Sequence, residues 1–267
     1  MPLLDQLLQL SVLTLVLLIG AAFVAGWVDA VVGGGGLIQL PALLTALPAD
    51  ASTGAVLGTN KLAAAAGTAV SSGTYVRRIM PVAATVVPLV VCALLGSTVG
   101  AGLAGLIPRP WLSPIVLLAL LAVGTYTLLR PSMGIEHAPR HRGRAHLLRS
   151  GGIGGVIGVY DGILGPGTGS FFIIAMVAVL GYGFLEASVH AKLANLTTNL
   201  GALLVFGMQG EVWWILGAVM ALANVLGGYL GARLALKLGS RFVRGVFLGV
   251  TGALALRLAI DSVALLT

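Results

Sequence analysis

The chain has 267 residues, of which 58% are hydrophobic and 9% charged, and its mean hydropathy is +1.06. A water-facing domain carries roughly 25% charged residues, so a soluble globular protein is excluded, and disorder, which needs low hydrophobicity, is excluded with it. The net charge of +7 is therefore read through membrane topology rather than as a nucleic-acid footprint.

No basic stretch precedes the first apolar run, so a cleaved signal peptide is not expected. Apolar stretches follow at 7–32, 36–48, 51–75, 80–107, 111–129, 151–164, 170–182, 184–207, 211–236 and 242–266. A spanning helix takes about 20 apolar residues, which leaves room for roughly six to nine membrane segments. The fold expected is an all-α polytopic membrane protein, with the 39 glycines allowing close helix contacts. The lone Cys92 excludes an intrachain disulfide and reads as a packing residue.

The stretch from Arg130 to Arg149 is polar, with five arginines and two prolines, and falls at the middle of the chain. On either side the sequence repeats. The run Gly26–Gly36, with Asp29, pairs with Gly158–Thr168, with Asp161, at an offset of 132. Lys61-Leu62-Ala63 pairs with Lys192-Leu193-Ala194 at 131, and Leu95-Gly96 and Gly100-Ala101 pair with Leu226-Gly227 and Gly231-Ala232. The organisation expected is a first repeat at 1–130, a basic cytoplasmic linker at 131–149 and a second repeat at 150–267.

Each copy opens with a glycine-broken helix, at Gly33–Gly36 and at Gly165–Gly169. A broken helix is tolerated at membrane depth only where it is buried in protein or lines a cavity. The half-segments that follow, of some 13 residues, reach about 20 Å, short of the ~30 Å hydrocarbon core. Each is read as a re-entrant or discontinuous element. With three full crossings after it, the two copies are inverted. Arg77, Arg78, the linker arginines, Arg233, Lys237, Arg241 and Arg244 then fall inside, and Asp5, Asp50, Arg109 and Glu211 outside. Four crossings per copy would make the repeats parallel and split the charges less well.

Paired gapped helices mark the central site of a transporter. Half-helices starting at Gly36 and Gly169 offer free N–H groups and positive dipole ends, which suit an anion. Gly33, Gly34, Gly35, Gly36, Gly165, Gly167, Thr168 and Gly169 are therefore candidate substrate contacts. On this reading Gly35→Val and Gly167→Val abolish transport, while Gly100→Ala, at a packing glycine, is mild. Lys61 and Lys192 lie deep in apolar segments, where a charge costs at least about 2.5–3.5 kcal/mol, and they suggest an electropositive cavity. Asn60, Asn195 and Asn199 supply nearby polar donors. Asp29 and Asp161, four residues before each break, are either proton carriers or structural residues, as caps or as partners of the two lysines. His190, four residues after Glu186, reads as structural. No Walker loop, catalytic triad or zinc motif occurs, so neither an enzyme, a cofactor nor a metal is expected.

The run from Gly26 to Leu44 resembles the first-repeat signature of the TauE/SafE sulfite exporter family, and Thr59-Asn60-Lys61-Leu62 its next motif. Gly158–Phe171, His190–Asn195 and Thr198–Gly201 resemble the second-repeat signature. Gln39 stands where the family often carries Thr. The resemblance spans nearly the whole chain. It implies a multi-pass transporter in the cell inner membrane for sulfur-containing anions such as sulfite, sulfoacetate or other organosulfonates. An anion channel and a non-transporting membrane assembly factor are the competing functions. The partners expected are a small anion and the lipid bilayer, without nucleic acid.

Overall fold

The ends of the helices are set by hydroxyls and glycines. The Ser11 side chain accepts the Thr14 N–H at 3.1 Å and starts α1 (Val12–Val32); Gly33, at φ 81°, stops it. Ser52 does the same for α3 (Thr53–Val76), accepting Ala55 N–H at 2.9 Å. Such caps satisfy N–H groups that have no partner within the helix. The computed structural model describes residues 10–48, 50–106 and 140–264. Between α1 and α3 lies α2 (Gly36–Ala46); α4 (Ala83–Leu103) follows. The second half holds α5 (Gly143–Ile163), α6 (Thr168–Ala175), α7 (Phe184–Met208) and α8 (Trp214–Ala264). A wider turn at Met176–Leu180 prolongs α6, and α8 breaks at Gly239 (φ 77°, ψ −171°). Among the described residues every regular element is helical.

The expected segment at 111–129, linker residues 131–139, and Asp5 and Arg109 lie outside the described residues. The rest of the linker differs from expectation: α5 begins at Gly143, so residues 143–149 are helical. His146 and Ser150 are buried while Arg144 and Arg149 stay exposed, so one face of this turn has protein to pack on. That face is what extends the helix into a basic stretch.

Polarity is distributed inside out. Leu13, Val16 and Leu17 of α1, Val87, Val91 and Leu95 of α4, and Leu222, Leu226 and Leu230 of α8 are exposed. Thr59, Asn60, Thr68, Ser71, Ser97, Thr198, Asn199 and Asn224 are buried. Apolar faces of this extent are not left to water by a soluble monomer; they belong against hydrocarbon. Among the described residues, Val12–Val32, Ala83–Leu106 and Trp214–Val246 are long and apolar enough to cross a membrane.

Helix α4 packs along α5, and α8 along α1 and α3; α7 lies against both α3 and α4. Helices also approach closely at the glycines expected to serve packing. A Cβ at Gly96 would lie 2.5 Å from the Gly155 carbonyl oxygen, and one at Gly227 2.0 Å from that of Phe23. The same geometry corrects the expectation that Gly100→Ala is mild. Its Cβ would meet the Val159 carbonyl oxygen at 2.2 Å, and backbone cannot step aside as a side chain can.

Candidate functional site at the two helix breaks

The two glycine breaks meet. Ser170 N–H donates to the Gly33 carbonyl at 3.1 Å, and the Ser170 hydroxyl to that of Val32 at 2.7 Å. A Cβ on Gly33 would lie 2.2 Å from the Gly169 carbonyl carbon, and one on Gly169 2.5 Å from the Gly33 Cα. Gly36 faces Pro166, 3.2 Å from where its Cβ would be. Gly33, Gly165 and Gly167 all have positive φ, which only glycine adopts without strain. Thr168 opens α6 and donates from its hydroxyl to the Gly165 carbonyl at 2.7 Å.

Several of these glycines are therefore filled in by protein. A Cβ on Gly35 would strike the Ala25 carbonyl oxygen at 2.4 Å and the Asp29 Cβ at 2.7 Å, because α2 starts back against the last turns of α1. Gly35→Val would clash there whether or not a ligand binds, so the obstruction expected from the sequence is not a test of the site. Gly34 differs: its nearest neighbour would be the Leu37 Cδ1 at 3.4 Å, ordinary contact.

Both lysines are buried beside these breaks and each finds a carboxylate in the other half of the chain. Lys61 Nζ on α3 lies 2.6 Å from Asp161 Oδ2 on α5, both side chains 1% exposed. Lys192 Nζ on α7 lies 3.1 Å from Asp29 Oδ2 on α1, at 0% and 14% exposure. Lys192 also donates to the Asp29 carbonyl. Thr68 and Asn195 donate to the Asp29 carboxylate at 3.3 and 3.4 Å. Both aspartates are ion-paired, and the pairing is exchanged: Asp29 and Lys61 belong to one half, but neither pairs with the other. Two ammonium groups and two carboxylates cancel. An isolated charge here would cost far more than a paired one.

Lys61 also approaches the second break, with its Nζ 2.9 Å from where a Gly165 Cβ would stand. Around it lies an amide network that joins Asn60 and Gln39 to Asn224, a residue the sequence did not single out. Gln39 Nε2 on α2 donates to the Asn60 carbonyl at 3.3 Å, and Asn224 Nδ2 on α8 to Gln39 Oε1 at 2.7 Å. Asn224 fits because Gly26 and Gly67 leave it room. No sequence signal marked it: its repeat counterpart is Ala93. The Asn60 side-chain oxygen is buried without a hydrogen-bond partner. Asn199 is buried one turn beyond Asn195. Among the described residues no cluster of side chains could hold a metal ion.

The family described as Sulfite exporter TauE/SafE matches residues 18–258. A probable membrane transporter protein, ORF9, of Sinorhizobium is 36% identical over 241 residues, covering 90% of each chain. YfcA of Escherichia coli K12, also named a probable membrane transporter protein, is 34% identical over 97% of this chain and 94% of its own length. A relative of the same name from Haemophilus influenzae is 35% identical, over 86% and 88%. No solved structure matches. Their names describe transporters rather than enzymes. With its lipid-suited exterior and a match to nearly its whole length, the chain is a membrane protein of the TauE/SafE sulfite exporter family.

Proposed function

We propose that the protein is a secondary transporter that exports a small sulfur-containing anion, sulfite or an organosulfonate, across the cell inner membrane. The observation that carries this reading is the two exchanged Lys–Asp pairs, buried where the helix breaks touch. As they stand the pairs are neutral, and an entering anion meets no net charge. Protonating Asp29 or Asp161 uncovers one ammonium, which then attracts the anion, with the positive ends of α2 and α6 adding to it. Proton binding thereby readies the site for the anion. Asp29, at 14% exposure against 1% for Asp161, is the carboxylate a proton reaches first.

Alternating exposure of this site follows if the halves are inverted copies. Supporting this, α3 and α7 start 131 residues apart, as do α4 and α8. Ser52, before α3, hydrogen-bonds Glu211, after α7, so these two helices run in opposite directions. The contact of Gly35 with Ala25 and Asp29 supports a re-entrant α1–α2 element.

The test is uptake into proteoliposomes of sulfite, thiosulfate, sulfate and sulfoacetate. Saturable counterflow of sulfite or sulfoacetate, enhanced by a proton gradient, is the expected result. Gly34→Ala, which has room to fold, should lower it by obstructing close approach to the backbone. Absence of counterflow with all four anions would overturn the reading; flux without counterflow would indicate a channel.

A further inference from the structure

Two hydrogen bonds at opposite ends of the molecule occupy equivalent repeat positions but differ in chemistry. At one end Trp213 N–H, just before α8, donates to the Thr59 hydroxyl oxygen at 3.0 Å. At the other, Val82 N–H, just before α4, donates to His190 Nε2 at 3.1 Å. Thr59 and His190 are the seventh residues of α3 and α7, 131 apart, and so are Val82 and Trp213. That is the offset relating Lys61 to Lys192. Each bond clasps the start of one helix to the turn entering another.

The tautomer of His190 follows from its partners. A backbone N–H can only donate, so Nε2 is an acceptor and carries no proton. Nδ1 then holds the proton and donates to the Glu186 carbonyl at 2.8 Å. A second proton can enter only at Nε2, where it would point at the Val82 N–H. The clasp would lose its acceptor and bring two donors face to face. Thr59 has no proton to gain.

We infer that His190 makes one end of the transporter a proton-released clasp, while its counterpart at Thr59 holds irrespective of pH. This rests on the two-half reading proposed above. The Tyr182 ring packs against the imidazole, their centroids 4.8 Å apart, and Glu186 precedes it by one turn on the same helix. The Tyr182 hydroxyl meets Thr85 at 2.7 Å, and Thr85 meets His146 Nε2 of α5 at 2.7 Å. Arg77 and Arg78 from the α3–α4 turn, Arg140 ahead of α5, and Arg241 and Arg244 of α8 carry the charge of this end. Acid on the arginine-bearing side releases Val82 and frees the start of α4 from α7. The Lys–Asp site is then offered to the compartment that holds excess protons.

Single-cysteine reporters test this on the full chain in a Cys92→Ala background. Ala187→Cys lies beside the His190 clasp and Val56→Cys beside the Thr59 clasp; Ala187 and Val56 are both 0% exposed. Thiol labelling is normalised to the exposed Met80→Cys, which removes the intrinsic pH dependence of the reaction. Between about pH 8 and pH 5, where histidine titrates, labelling of Ala187→Cys should rise, and that of Val56→Cys should stay flat. The rise expected is about tenfold, the shift one lost hydrogen bond of ordinary strength allows. His190→Gln keeps an acceptor that does not titrate and should abolish the rise. Thr59→His should create one at Val56→Cys. A rise that survives His190→Gln, or none in the parent, overturns the inference. Labelling is read without substrate, so it can fail while anion counterflow succeeds, and the reverse.

Discussion

At the scale of single residues the exchanged ion pairs dominate. Removing one member of a buried pair leaves an uncompensated charge and costs about 3–5 kcal/mol, whereas removing both is often neutral. Lys61→Met should therefore lower thermal stability in detergent markedly, because Asp161 is 1% exposed. Lys61→Met combined with Asp161→Asn should recover that stability without recovering anion transport. Arg233→Met, at an exposed side chain stacked 4.5 Å over Tyr229, should leave both near wild type. If the double variant were no more stable than the single one, the pair would not be what holds these helices together. In the sequence the lysines could be placed at depth because each lies far inside an apolar segment, where snorkelling to a headgroup is awkward. Their exchange could not, because spacing along a chain does not say which half's carboxylate a lysine meets.

At the scale of helices, glycines sort by what faces them. Seams between α4 and α5 and between α8 and α1 bring backbone to within a Cβ's radius, so alanine there must push whole helices apart. Gly100→Ala and Gly227→Ala should reduce the monodisperse fraction in detergent. Gly20→Ala and Gly73→Ala, with nothing within 4 Å of the added carbon, should be neutral or mildly stabilising, by up to about 1 kcal/mol. Equal effects at all four positions would detach these glycines from packing. The small-residue spacing Gly96/Gly100 and Gly227/Gly231 was legible because helices touch through one face. The facing of Gly33 against Gly169 was not, since it joins positions far apart in sequence. The breaks themselves were legible, because four glycines in an apolar run serve no ordinary helix. The start of α5 was missed, because its buried His146 and Ser150 are hidden among arginines.

At the scale of the whole molecule, Ser52, Glu211 and Trp213 gather at one end, and Val82, Arg140, Leu180 and His190 at the other. Impermeant cysteine labelling in cells should find Asp50→Cys and Glu211→Cys accessible from outside. Arg78→Cys and Arg241→Cys should react only from the cytoplasmic side, because basic loops stay within. Labelling of Asp50→Cys and Arg78→Cys from the same side would rule out an odd number of crossings between them. The exchanged pairs also bear on how the chain is made. Lys61 leaves the ribosome a hundred residues before Asp161, and Asp29 163 residues before Lys192. At ordinary elongation rates of about 5–20 residues per second, Lys61 waits roughly 5–20 s for its carboxylate. During that interval α1 and α3 each carry an unmatched charge that hydrocarbon rejects. The first half must linger at the insertion machinery, or in contact with water, until the second is delivered, so insertion finishes as one late event rather than helix by helix.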